Sequence, residues 1–128
     1  MHILIVDDDE DIREVLALVL DALGHQVEVA ADGLDALTRL NGGYRPELVL
    51  LDLMMPRLDG EGLIGRMRGD ARFARIPVCI ITGHHSARDK AAQLGAVGCL
   101  VKPIELEELQ LMIRSVAGGE GDAAHSRM

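Results

Sequence analysis

Five short apolar runs, each followed by a segment with helical spacing, constrain this chain more than any other feature of its sequence. The runs cover residues 3–6, 26–30, 48–51, 78–82 and 99–101. Four of them are nearly continuous in Val, Ile and Leu, the pattern of strands covered on both faces in a parallel sheet. The second alternates instead, with Val27 and Val29 between Gln26, Glu28 and Ala30, and this predicts an edge strand. After the first run, Ile12, Val15, Leu16, Val19 and Leu23 recur at helical spacing, and Gly24 follows as a stop. Later helical segments span about 34–40, 60–68, 87–94 and 105–116. Strict alternation of strand and helix predicts an α/β fold with a doubly wound sheet. Residues 118–128 carry no periodicity and are predicted to be a disordered tail, which leaves one domain over residues 1–117.

Composition narrows the classes of function. At 128 residues the chain has room for one core and not two. Hydrophobic residues at 48% and charged residues at 27% place it among globular domains. Only Tyr44 and Phe73 are aromatic, so the core must be aliphatic. A net charge of −8 argues against a nucleic-acid surface, which needs clustered Lys and Arg to neutralise phosphates. Cys79 and Cys99 lie in apolar runs without metal-ligand spacing and are read as reduced thiols. The apolar stretch after Met1 ends at Asp7, so no secretory leader is expected, and no segment is long enough to span a membrane. The expectation is a cytoplasmic protein.

In a doubly wound sheet, ligands bind beyond the carboxyl ends of the strands. The first strand ends in Asp7-Asp8-Asp9, the third in Asp52, the fourth in Thr82 and the fifth in Lys102-Pro103, whereas the second delivers only Ala30-Ala31. Each feature has a structural explanation on its own. One of Asp8, Asp9 or Glu10 is expected to cap the following helix, Lys-Pro often ends a strand, and Thr suits β structure. Four such coincidences at one sheet edge are a stronger argument for a functional cleft.

These groups support a narrow chemistry. Neighbouring carboxylates repel by roughly 1 kcal/mol per pair or more, depending on the local dielectric. A hard divalent cation relieves that repulsion, and Mg²⁺ suits an all-oxygen site that keeps waters and accepts phosphate oxygens. Lys102 as a point charge and Thr82 as a donor complete a phosphate cradle. A carboxylate beside such groups is a nucleophile able to form an aspartyl phosphate, and Asp52, alone at the end of the central strand, is the candidate.

With these residues in view, the chain resembles the receiver domain of bacterial response regulators over about residues 2–117. The motifs are Ile5-Val6-Asp7-Asp8, Leu51-Asp52-Leu53-Met54-Met55-Pro56 followed by Asp59-Gly60, Ile81-Thr82-Gly83, and Val101-Lys102-Pro103. The resemblance implies a five-stranded parallel sheet of flavodoxin-like order 2-1-3-4-5 with five helices. It implies that Asp52 accepts a phosphoryl group from a sensor histidine kinase or a phosphotransfer protein. It further implies that Asp8 ligates Mg²⁺ directly, Asp7 through water, and Met54 through its backbone carbonyl, with Asp52 completing the metal set. Thr82 is then the switch hydroxyl, Lys102 pairs with the phosphoryl group, and the Lys102–Pro103 bond is commonly cis. The expected output is a changed surface on the fourth helix, fifth strand and fifth helix that controls a downstream protein. The expected partners include neither nucleic acid nor membrane, and the expected state is a monomer or weak dimer. The reading favours a stand-alone receiver over a domain of a larger regulator, and a regulatory phosphoacceptor over an enzyme.

Some positions depart from the pattern. Cys99 stands where receivers usually keep Tyr or Phe, so the output mechanism is expected to run without an aromatic ring. Gly83 replaces the usual alanine and is expected to loosen its loop. His84-His85 is read as a solvent-facing loop, since adjacent side chains diverge, although His84 borders the phosphoryl site in receivers. Met54 and Met55 are read as packing residues. Two other functions compete. A haloacid-dehalogenase-like phosphatase would need a second acid two residues after its nucleophile, where Met54 stands after Asp52. A pseudo-receiver that binds partners without phosphorylation is suggested by Cys99 and opposed by the intact acids and lysine.

Overall fold

The apolar runs form five parallel strands, and the segments between them form five helices. The computed structural model describes residues 1–84 and 87–118. In chain order the elements are β1 (His2–Val6), α1 (Glu10–Ala22), β2 (Gln26–Ala30), α2 (Gly33–Asn41), β3 (Leu48–Asp52), α3 (Gly60–Arg68), β4 (Val78–Thr82), α4 (Ala87–Gln93), β5 (Gly98–Val101) and α5 (Leu106–Ala117). The strands lie in the order β2-β1-β3-β4-β5. The fold class is the expected one, and so is the strand order. Residues 119–128, the greater part of the expected tail, lie outside the described residues.

Alternation along each strand divides the core in two. Leu4, Val6, Val49, Leu51, Val78 and Ile80 face one layer with Leu63, Ile64, Met67 and Phe73. Ile3, Ile5, Leu48, Leu50, Cys79 and Ile81 face the other with Leu16, Leu20, Leu109 and Ile113. Each buried Leu or Ile contributes about 1.5–3 kcal/mol of transfer free energy, which is how a nearly ring-free chain sustains its fold.

β2 is an edge strand, as its alternating pattern predicts, and only Ala30 is buried in it. The continuous run at 99–101 predicted a strand covered on both faces, but β5 is the opposite edge and only its Leu100 is buried. Among the described residues no strand lies beyond it, so its backbone and flanking side chains stay partly open. Aspartates set the first three helix starts. Asp9, Asp32 and Asp59 each accept from backbone N–H groups in the first turn of α1, α2 and α3. Gly24 follows α1 with φ +93°, a conformation open to glycine at little cost. None of the described helices is long and apolar enough to cross a membrane.

Candidate functional site

Sheet register decides which strand ends meet. Val6 pairs with Leu51, so the following residues, Asp7 after β1 and Asp52 in β3, stand side by side. Asp52 pairs with Ile81 and Thr82 with Val101, which brings Thr82 and Lys102 one step further along the same rim. The parallel sheet thus gathers four of the residues marked by the sequence, and Asp8 follows directly on Asp7.

Asp7 is fully buried and Asp52 nearly so, whereas Asp8 is exposed. One oxygen from each of the three carboxylates lies within 4.8 Å of the others. Asp7 Oδ1 accepts the Asp9 N–H at 2.9 Å. Its buried Oδ2 lies 3.0 Å from Lys102 Nζ, among the described residues the one cationic group beside it. Lys102 Nζ is also 3.7 Å from Asp52 Oδ2. Asp52 Oδ1 accepts the Met54 N–H at 3.2 Å. Burial, and then the Asp7 carboxylate, push the Asp52 carboxyl up to about 6, against the opposing pull of the Met54 N–H and Lys102. Burial also works against the Lys102 ammonium, but Asp7 and Asp52 outweigh it and hold its pKa above the usual value.

Three carboxylates facing one another with a single ammonium between them are a donor set suited to a hard cation such as Mg²⁺, all oxygen and short of positive charge. Thr82 is buried, and its hydroxyl accepts the His84 N–H at 3.1 Å, so it is turned toward its own loop. His84 is exposed, and His85 lies outside the described residues. The Lys102–Pro103 bond is cis. Asp9, of the three acids considered, caps α1 through the Asp11 and Ile12 N–H groups.

Two expectations change. Met54 is not a packing residue, since it is 72% exposed, and its backbone N–H bonds Asp52. Met55 does pack against the core layer of Leu51 and Leu63. The rim beyond β2 also holds more than Ala30-Ala31. The next residue, Asp32, is buried and paired with Arg57. The sequence does not single out that pair, or Arg13, whose Nη1 donates to the Asp7 carbonyl at 2.8 Å. Asp32-Gly33 ahead of a helical pattern signals a cap, but nothing in the pattern points to a partner 25 residues away.

Comparison with known proteins agrees with this geometry. A family model described as the response regulator receiver domain matches residues 3–114. Response regulator MprA of Mycobacterium tuberculosis is 39% identical over 118 residues, which are 91% of this chain and 50% of that protein. The DNA-binding dual master transcriptional regulator RpaA of Synechocystis is 36% identical over 117 residues, 90% of this chain and 48% of that protein. The chain therefore spans about half the length of the curated relatives it matches. Among solved structures, the chemotaxis response regulator CheY4 of Vibrio cholerae superposes with a TM-score of 0.81 at 30% identity, covering 90% of this chain and 97% of that one. Because the family match runs from β1 into α5, across every strand that feeds the acidic rim, the chain belongs to the response regulator receiver domain family.

Proposed function

We propose that this chain is a phosphorylation-dependent switch of a two-component pathway, with Asp52 as the phosphoacceptor and Mg²⁺ as its cofactor. The observation that carries the reading is the meeting of Asp7, Asp8, Asp52 and Lys102 at one end of the sheet. Asp8 and Asp52 would hold the cation directly with the Met54 carbonyl, and Asp7 through water. When bound, Mg²⁺ supplies positive charge to the phosphoryl oxygens.

The chain's own residues perform the rest. An Asp52 oxygen attacks the phosphorus of a phosphohistidine on a sensor kinase or phosphotransfer protein, forming a P–O bond as the P–N bond breaks. The electron pair leaves with the imidazole nitrogen, which takes a proton from solvent. Lys102 binds a phosphoryl oxygen from its place beside Asp52. The Thr82 hydroxyl, which accepts the His84 N–H, moves to donate its own O–H to a phosphoryl oxygen, and the surface of α4, β5 and α5 changes to control a downstream protein. The same groups assist hydrolysis of the acyl phosphate. This domain acts in the cytoplasm without contacting nucleic acid, in keeping with its charge of −8, and as a monomer or weak dimer.

Incubation with acetyl phosphate and Mg²⁺ is expected to add one phosphoryl group, seen as an intact-mass shift. Asp52→Asn is expected to abolish it. Labelling of that variant at the wild-type rate would refute the assignment.

A further inference from the structure

The loop between β3 and α3, residues 53–59, carries Met54 beside Asp52 and ends on Asp59, the cap of α3. It is held in place by the segment that opens α2. Arg57 Nε and Nη2 donate to the two oxygens of Asp32 at 2.6 and 3.0 Å. Such a two-pronged pair fixes orientation as well as distance. Next to it, the Gly33 N–H donates to the Leu58 carbonyl at 2.9 Å. A Cβ at Gly33 would strike that same Leu58 oxygen, so the two backbones touch. Asp32 is 5% exposed and also caps α2 by accepting the Asp35 N–H at 2.9 Å.

Arg57 is, among the described residues, the one non-glycine with positive φ, at 66°. That conformation costs a residue with a side chain roughly 1 kcal/mol and persists where its surroundings hold it. At its far end the loop is closed by the Gly60 N–H on the Leu53 carbonyl at 3.1 Å. Met54 lies between these two ties.

We propose that Arg57 is a positioning residue for the cation site, acting through Asp32 to fix the 53–59 loop so that the Met54 backbone stands ready beside Asp52. The proposal rests on the reading of Asp7, Asp8 and Asp52 as the Mg²⁺ site. A loop already fixed spares cation binding the entropy of ordering it. The Asp32 carboxyl is held below its usual range, chiefly by the Arg57 hydrogen bond, so the pair is intact at neutral pH. Lysine could supply the charge but not the planar fork.

The test is a Mg²⁺ titration of the full chain, followed by amide chemical shifts and by the metal-dependent rise in melting temperature. The variants are Arg57→Ala, Arg57→Lys, Asp32→Asn, and Arg57→Ala with Asp32→Asn. Arg57→Ala and Asp32→Asn are each expected to weaken Mg²⁺ binding roughly tenfold, as loss of a contact supporting a metal ligand does. The double variant is expected to be no worse than either single one, and Arg57→Lys to recover only part of the loss. The Arg57 side chain is 59% exposed, so its truncation leaves no cavity. Should Arg57→Ala fail to fold, Arg57→Gly tolerates the positive φ and serves instead. The clamp is overturned if Arg57→Ala changes Mg²⁺ affinity by less than about twofold, the scatter of uncoupled sites, or if its effect persists in full in the Asp32→Asn background. A wild-type chain with no Mg²⁺ response overturns the underlying reading, and the clamp with it.

Discussion

On the β1–β3 side of the rim, each functional group is held from several directions. Asp7 is buried, takes the Asp9 N–H on one oxygen and the Lys102 ammonium beside the other, and is pinned at its carbonyl by Arg13. Asp52 takes the Met54 N–H, and the loop beyond it is tied to α2. The helices on this side, α1, α2 and α3, all begin on capping aspartates. On the β4–β5 side the same rim is lightly built. α4 has seven residues and buries only Ala91, and β5 is a four-residue edge strand with one buried side chain. α5 is preceded by Glu105, whose side chain makes no capping hydrogen bond. The Lys90–Glu61 pair that joins α4 to α3 lies between exposed side chains, where such pairs contribute little. The difference fits a switch. On the proposed function, a binding half built in advance would lose little on engaging its ligand, while a readout half made of α4, β5 and α5 would move for the small free energy of one new hydrogen bond at Thr82.

The largest expected effect lies in the binding half. Asp8 is exposed, so Asp8→Ala leaves no cavity and removes one of three crowded carboxylates. The metal-free fold is expected to keep or gain stability as repulsion falls, while the stabilisation by Mg²⁺ disappears. Thermal melts with and without Mg²⁺ check both. A variant that keeps the wild-type Mg²⁺ response removes Asp8 from the site and the pre-built half loses its purpose. A methyl group probes the two halves next. At Gly60 a Cβ would lie 2.6 Å from the Asp52 carbonyl oxygen and 2.8 Å from Leu53 Cα, both backbone. At Gly98 it would meet the terminal methyl of Met112, which can swing away. Gly60→Ala is expected to cost about 1–3 kcal/mol and Gly98→Ala to stay within about 1 kcal/mol of wild type by urea unfolding. Equal costs would mean that the two halves are equally rigid.

Most of the polar rim was legible in the sequence because parallel strands end together. Once the apolar runs are located, Asp7, Asp52, Thr82 and Lys102 follow as the next polar residues, and register needs no further information. The clamp was not legible. Asp32 and Arg57 belong to two loops on neighbouring strand ends, and only the fold brings their side chains together. Sequence pattern also overstated the burial of β5, because an apolar run looks the same in a central strand as in an edge strand whose second neighbour is missing. Met54 misled in its side chain alone, which suits a core but is exposed, while its backbone N–H bonds Asp52.

The clamp gives a smaller effect with a defined sign in pH. A carboxyl whose folded pKa lies below its unfolded value stabilises the fold above that unfolded value and loses the contribution as pH falls through the folded one. Asp32 is such a group, lowered chiefly by the Arg57 hydrogen bond against the cost of burial. Wild type is therefore expected to be more stable than Asp32→Asn near neutral pH. The gap is expected to close below about pH 4, where the unfolded carboxyl takes up its proton first. Urea unfolding at several pH values measures it. A gap that widens toward acid would show that the Asp32 carboxylate is not stabilised by its partner, and the binding half would lose one of its ties.

The smallest effect is expected at Cys99, in the readout half. Thr82 pairs with Val101 and Ile80 with Cys99, so Cys99 sits one pleat below Thr82 on the sheet face that carries Ile80, where it packs at the margin of that core layer. Any movement of Thr82 toward Asp52 opens space on this face. A ring at position 99 could turn into such a space and carry β5 and α5 with it, but a thiol is too small to fill it. The coupling from the acidic site to β5 is therefore expected to be weak, with the response to a phosphoryl group largest in the residues after Thr82 and in α4 and smaller in β5 and α5. Amide chemical shifts recorded with and without beryllofluoride, a phosphoryl mimic, follow this directly. Changes concentrated between Thr82 and α4, and nearly the same in Cys99→Ala as in wild type, support the division between a built site and a loosely packed reporter. Changes equally large around β5, and lost in Cys99→Ala, would make the thiol itself the relay. The readout half would then be as specifically constructed as the half that binds.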